Sequence, residues 1–191
     1  SQSISTLKRS NKLINNSFKK DRLISKKFIQ ILKSEQNLSS ILRTMKNVGV
    51  LQSYIPDFAE IVGQMQCDLF HIFTVDEHTF KVVRNMRQMK INYSDEFRLE
   101  NELIKKIPKI EILYIAGLFH DLGKGKGGNH SEIGAKISRD FAKRLGLSLA
   151  DSDLISWLVL HHLKMSSISQ RQDISDTKTI SEFADIVLNT E

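Results

Sequence analysis

The sequence predicts an all-α protein, and three observations carry the prediction. Apolar residues recur at helical spacing, no stretch alternates convincingly with period two, and only two prolines interrupt 191 residues. With 40% hydrophobic and 26% charged residues the composition is that of a soluble globular domain, one of ordinary size with an appended segment. No apolar run approaches the roughly 20 residues that span a bilayer. The first residues lack the apolar core and small-residue cleavage site of a signal peptide. The single cysteine, Cys67, excludes an internal disulfide and fits a reducing compartment, so the expected location is cytoplasmic.

Residues 1–20 are polar and read as a frayed or linking segment. From Asp21 to Lys33, Ile24, Phe28 and Ile31 recur at helical spacing and predict a short amphipathic helix. A second is expected over Ser39–Lys46, stopping near Gly49, and 49–58 with Pro56 reads as a connection. Thr74 and Glu77 fit a capping box that opens a helix through about Met89. Residues 91–109 are polar and mixed, with Pro108 marking the next boundary. Glu111–Asp121 is apolar nearly all round, the pattern of a central helix buried by its neighbours. Gly123, Gly125, Gly127 and Gly128 then predict a flexible loop. Further helices are expected over Ser131–Leu145, closed by Gly146, over Asp151–Met165, and over Thr179–Leu188.

Charge is uneven. Residues 1–33 hold nine Lys/Arg against the single acid Asp21, a net +8 that leaves −2 of the total +6 for the rest. Such an arm attracts polyanions. No aromatic residues interleave with the charges as in a base-stacking surface, which favours a solvated helix face or linker over a nucleic-acid partner.

Polar chemistry gathers in LFHDLGKG (118–125), where His120 and Asp121 end an apolar helix. An unpaired buried carboxylate costs several kcal/mol, so a bound metal ion is the economical reading. Six histidines are present: His71, His78, His120, His130, His161 and His162. Imidazole with carboxylate suits Mn, Fe, Zn or Mg, and Asp121 could serve two ions. The absence of paired cysteines excludes a thiolate zinc site, and GxSxG and P-loop motifs are absent. For His71 and His161, a surface or capping position is as good a reading as a ligand.

His78, His120-Asp121 within HDLGKG, His130 and His162 together resemble the HD-domain metal-dependent phosphohydrolases. Longer stretches, GVLQSYIPDFAEIVGQMQCDLFHIFTVDEH (49–78), LFHDLGKGKGGNHSEIGA (118–135) and WLVLHHLKMSSISQRQDISD (157–176), are similar to the HD domain of bacterial bifunctional uridylyltransferase/uridylyl-removing enzymes. The resemblance covers about residues 20–190. It implies an HD-domain helical bundle over 49–191, preceded by a basic helical extension, 1–48, that is the tail of an upstream nucleotidyltransferase region. It further implies hydrolysis of a phosphodiester, removing UMP from a tyrosine of the uridylylated PII signalling protein, with no membrane or nucleic-acid partner.

By the same resemblance His78, His120 and Asp121 hold a first metal. His130 and His162 complete a second or contact the phosphate, with His161 and His71 as additional candidates. The implied cofactor is divalent, Mn or Mg ahead of Fe or Zn. Lys124 is expected to offset phosphate charge, and His130 or Lys124 to protonate or stabilise the leaving oxygen. The family's closing aspartate is expected beyond Glu191 and not at Asp185, so the first shell should be incomplete in this chain and the chain alone inactive. Asn129 stands where the family commonly carries aspartate. The transferase motifs and glutamine-sensing domains are expected outside 1–191. Two other classes fit the motif less well: an HD hydrolase of small nucleotides, and a non-catalytic regulatory helical scaffold that binds PII or neighbouring domains.

Overall fold

A computed structural model describes residues 2–34, 37–65, 73–91 and 95–188, and no strand occurs among them. The helices are α1 (Gln2–Ser10), α2 (Asn16–Lys20), α3 (Arg22–Lys33), α4 (Leu38–Asn47), α5 (Val50–Tyr54) and α6 (Val75–Ile91). They continue with α7 (Arg98–Lys106), α8 (Ile110–Phe119), α9 (His130–Leu145), α10 (Leu149–Leu160), α11 (Lys164–Arg171) and α12 (Thr177–Leu188). Two 3₁₀ segments, Pro56–Ile61 and Leu122–Lys126, pack against each other.

The all-α expectation holds, and so does the central helix. α8 is packed by α3, α6, α9 and α10, and Tyr114, Ile115, Leu118 and Phe119 are fully buried. One apolar core runs from Phe28 and Leu32 on α3 through Leu51, Phe58, Phe80 and α8 to Phe141 on α9 and Ile155 on α10. Helices α3 and α4 therefore share a core with the rest of the described chain. Phe28, Tyr54, Phe119 and Phe141 form an aromatic cluster with centroids 4.6–6.2 Å apart. Arg144 lies over the Tyr54 ring and donates to the Lys19 and Tyr54 carbonyls, tying α2 and α5 to α9.

Local chemistry sets the boundaries. Asp21 caps α3 through the Leu23 and Ile24 N–H groups, and Ser148 caps α10 through Asp151 N–H. Gly146 ends α9 at φ +84°, a left-handed conformation that favours glycine.

Several expectations need correction. Residues 2–20 are not a frayed linker: α1, a 3₁₀ turn at Asn11–Leu13 and α2 occupy them, with Asn11 Nδ2 donating to Val48 O at 2.6 Å. The connection at 49–58 folds into α5 and the start of a 3₁₀ turn, because Leu51, Tyr54, Ile55 and Phe58 fall on the buried side. α7 lies within the stretch read as mixed, and it buries only Asn101 and Ile104, too few apolar positions to reveal its period. The helix expected over Asp151–Met165 is two, broken by a turn at His161–Leu163. Of the glycines after Asp121, Gly123 and Gly125 lie in the 3₁₀ turn and not in a flexible loop, while Gly127 and Gly128 follow it. Lys126 bonds Asp57 and Glu60, and Gln64 Nε2 donates to the Lys124 carbonyl at 3.2 Å.

Glu77, expected to close a capping box, directs its two carboxylate oxygens to Arg43 (2.8 Å) and Lys46 (2.6 Å). Lys46 also holds the buried Asp76 at 2.9 Å, and Asp76 accepts from Gly63 N–H. This network fixes the start of α6. Burial pulls the Lys46 ammonium down, but bonds to Asp76 and Glu77 outweigh it and leave its pKa raised. Burial pushes Asp76 up, and bonds from Lys46, Thr74 and Gly63 N–H outweigh that to leave it below the usual range. Glu77 is lowered by its bond from Arg43 first; burial opposes this, and the bond from Lys46 with the charge of both cations leaves it below the usual range.

A depressed carboxylate contributes stability above its unfolded pKa and loses it as pH falls through the folded one. Lys46→Met, which strands the Asp76 charge, is expected to cost about 3 kcal/mol at pH 7. The gap from wild type should narrow below about pH 4 as the carboxylates protonate. Urea denaturation at pH 7 and pH 3 measures both; a gap independent of pH contradicts the assignment.

Candidate metal centre

Asp121 is 2% exposed and lies just past the end of α8, whose last five residues, Ile115 to Phe119, are all apolar or small. Four imidazoles face it. His78 Nε2 lies 3.8 Å and His120 Nε2 3.2 Å from Asp121 Oδ2. His130 Nε2 lies 3.9 Å and His162 Nε2 3.7 Å from Oδ1. The donors form two sets that share the carboxylate, His78–His120–Asp121 and Asp121–His130–His162, with ligand atoms within 4.8 Å of one another in each. Each histidine comes from a different place: the first turn of α6, the end of α8, the first turn of α9 and the turn after α10.

Helix ends supply the orientation of two of them. A helix leaves its last carbonyls without intrahelical donors. His120 Nδ1 takes the Gly117 carbonyl at 2.8 Å, and His162 Nδ1 takes the Val159 carbonyl at 2.7 Å. A carbonyl only accepts, so each Nδ1 carries the proton, and each ring turns Nε2 toward Asp121. This is the arrangement by which imidazole ligands are fixed by a second hydrogen bond. The break between α10 and α11, which sequence periodicity did not reveal, is what places His162.

His130 is positioned by its backbone. Asn129 caps α9 by accepting from Ser131 N–H, and its exposed side chain also bonds Glu132, so it serves the helix end. The 122–126 turn presses against this point: a Cβ on Gly123 would sit 2.1 Å from the His130 carbonyl oxygen. Glycine is required there by backbone contact. Gly125 similarly meets Glu60, where a Cβ would lie 2.7 Å from Glu60 Cβ.

Electrostatics prepare the group for a cation. Burial pushes Asp121 up, but hydrogen bonds and charge from His120 and Lys124 outweigh it and hold the carboxyl well below the usual range. Burial pushes His130 and His162 down, so both are neutral at pH 7 despite the facing carboxylate. Their Nε2 atoms are buried without a hydrogen-bond partner among the described residues. Two orphaned imidazole nitrogens around an ionised, buried carboxylate fit a divalent metal, since unsatisfied buried polar atoms are otherwise destabilising.

Lys124 Nζ lies 2.9 Å from Asp121 Oδ2 and lines the same cavity. His161 sits apart from both donor sets, its ring 4.8 Å from Trp157. His71 and Cys67 lie outside the described residues. Asp185, well inside α12, is exposed. The centre forms the head of a cavity of about 770 Å³. Its walls beyond the donors are Val82, Met86, Leu113, Ala116, Gly117, Leu158, Leu163 and Ser166, which sequence reasoning did not single out. A signal was present: Val82 and Met86 follow His78 by one and two helical turns, and Ala116 and Leu158 precede His120 and His162 by one.

The chain is similar to known proteins over most of its length. A family model described as HD domain matches residues 75–190, and one described as Uridylyltransferase GlnD third domain matches 1–54. A relative in Ectopseudomonas mendocina, named bifunctional uridylyltransferase/uridylyl-removing enzyme, is 46% identical over 186 residues, 97% of this chain and 21% of the relative. Proteins of the same name in Azotobacter vinelandii (46% over 173 residues, 90% of this chain and 19% of the relative) and Pseudomonas aeruginosa (43% over 185 residues, 96% and 21%) are also similar. The chain thus spans about a fifth of the length of the curated relatives it matches. Among the described residues no helix is long and apolar enough to cross a membrane.

Calorimetric titration of the chain with Mn²⁺ checks the donor set. Asp121→Ala, which touches both sets, should weaken binding by ~100-fold or more, and His162→Ala by ~10-fold or more. His161→Ala should leave affinity within about twofold. Equal losses for His161 and His162 would contradict the geometry.

Proposed function

The chain belongs to the HD-domain family, and on that footing we propose that it is the uridylyl-removing phosphodiesterase portion of a bifunctional uridylyltransferase/uridylyl-removing enzyme. The proposed substrate is the PII signalling protein carrying UMP on a tyrosine, and the products are PII and UMP. Residues 1–48 lead into the HD portion, 49–191, and the location is the cytoplasm. The observation that carries the reading is one buried carboxylate, Asp121, shared by two sets of imidazole donors at the head of a cavity.

In this reading His78, His120 and Asp121 hold one divalent ion, and Asp121, His130 and His162 are the donors for a second. A divalent cation, Mn or Mg before Fe or Zn, supplies Lewis acidity and brings the pKa of water from ~15.7 toward 7. The chain's own groups do the rest. His120 and His162 hold Nδ1 on backbone carbonyls, so their Nε2 atoms stay directed at the centre throughout. Neutral His130 and His162 need lose no proton before they ligate. Lys124, at the mouth of the centre, offsets charge on the phosphoryl oxygens and on the departing oxygen. When only the first ion is bound, His130, at the first turn of α9, is instead the other group that can act on that oxygen. The close-packed 122–126 turn holds Lys124 and His130 in fixed relation, which keeps the reacting groups aligned.

His120→Ala combined with Asp121→Ala, made in the full-length protein, should abolish release of UMP from uridylylated PII and spare UMP addition. Both reactions are read by gel shift of PII with radiolabelled UMP. Retained removal would overturn the site, and concurrent loss of addition would show that the substitution acts on the fold.

A further inference from the structure

The donor cluster is one end of a longer slot. α6 carries His78 at the head and then Val82 and Met86 one and two turns along. α8 brings His120 and, one and two turns back, Ala116 and Leu113, while Leu158 stands one turn before His162. Three helices thus continue away from the donors with apolar residues facing the same cavity. Gly117 lets Met86 and Val82 of α6 pack close against α8 along this wall, because a Cβ there would meet Met86 Sδ at 2.9 Å. Beyond the donors and Lys124, the only side chain in the described lining with a hydrogen-bonding group is Ser166.

This composition decides which arm of the substrate enters. A phosphodiester between UMP and a tyrosine has a uridine arm and an aryl arm. Uracil presents two carbonyls and an N–H at its edge, and a slot without complementary groups would strand them. The aryl ring has no polar edge, since its one oxygen is the ester oxygen that stays at phosphorus. Resting on the function proposed above, we infer that the slot formed by Val82, Met86, Leu113, Ala116 and Leu158 seats the aromatic ring of the leaving tyrosine. The uridine then lies toward the open mouth, and the site reads the leaving group more than the base. In the reaction water adds its oxygen to phosphorus, the P–O(aryl) bond breaks, and the phenolate takes up a proton. UMP and PII with a free tyrosine hydroxyl are the products.

The test uses the full-length protein with Mn²⁺ and two small substrates, the p-cresyl ester and the 2,2,2-trifluoroethyl ester of UMP. The second lacks a ring but has a leaving group of acidity nearer a phenol than an ordinary alcohol. Val82→Phe, which fills the slot, should lower kcat/KM for the cresyl ester ~10-fold or more and change the trifluoroethyl ester by less than about threefold. Replacing uracil by cytosine in the cresyl ester should change the wild-type rate by less than about threefold. Leu158→Ala widens the slot and should raise turnover of a 2-naphthyl ester relative to the cresyl ester, an independent reading if Val82→Phe proves unstable. Equal loss on both UMP esters, or no loss on either, overturns the inference and leaves the proposed function standing. A wild-type protein that cleaves neither ester, nor uridylylated PII, overturns the proposed function and the inference with it.

Discussion

A carboxylate buried at the end of an apolar helix is the constraint on which the structure depends. Asp121 is held ionised against the cost of burial by His120 and Lys124, and three further imidazoles approach it from other helices. Charge removed from water must be compensated nearby, and here the compensation comes from His120 and Lys124. The path of the chain between those helices follows from that need. The 3₁₀ turn at Leu122–Lys126 reverses the chain so tightly that Gly123 touches the His130 backbone, and the α10–α11 break delivers His162.

Supports lie one layer further out. Arg43 and Lys46 from α4 bind Glu77 and Asp76 at the start of α6, one and two residues before His78. Gln64, Glu60 and Asp57 anchor the turn that carries Lys124. Positions of the donors are therefore set by side chains that never meet the substrate. The same burial that raises the cost of Asp121 also lowers the His130 and His162 pKa values, so one low-dielectric pocket yields both an anion and neutral ligands.

Much of this was legible in the sequence for a physical reason. An adjacent His-Asp pair after a run of apolar and small residues conflicts with burial unless a ligand resolves it, whereas the glycines following it, read as a flexible loop, are in part held by close backbone contact. The nearly all-round apolar character of 111–121 marked the central helix correctly. What escaped were features without a periodic signature. α1 and α2 are polar and lie on the surface, and α7 buries two residues. The His161–Leu163 break contains no proline or glycine; it follows from tertiary placement of His162. His161 and His162 are indistinguishable by neighbour type, yet one faces Trp157 and the other Asp121, because successive residues leave a helix end in different directions. The apolar slot was hidden for the opposite reason, since Val82, Met86 and Leu158 look like ordinary core positions.

Imidazole nitrogen NMR tests the central claim, that the rings are oriented around Asp121 before any metal arrives. In metal-free protein at pH 7, His162 should be neutral with its proton on Nδ1 and an unprotonated Nε2. Addition of Cd²⁺ should then shift Nε2, and not Nδ1, of His120 and His162. A His162 that is doubly protonated, that carries its proton on Nε2, or that binds Cd²⁺ through Nδ1 would contradict the account.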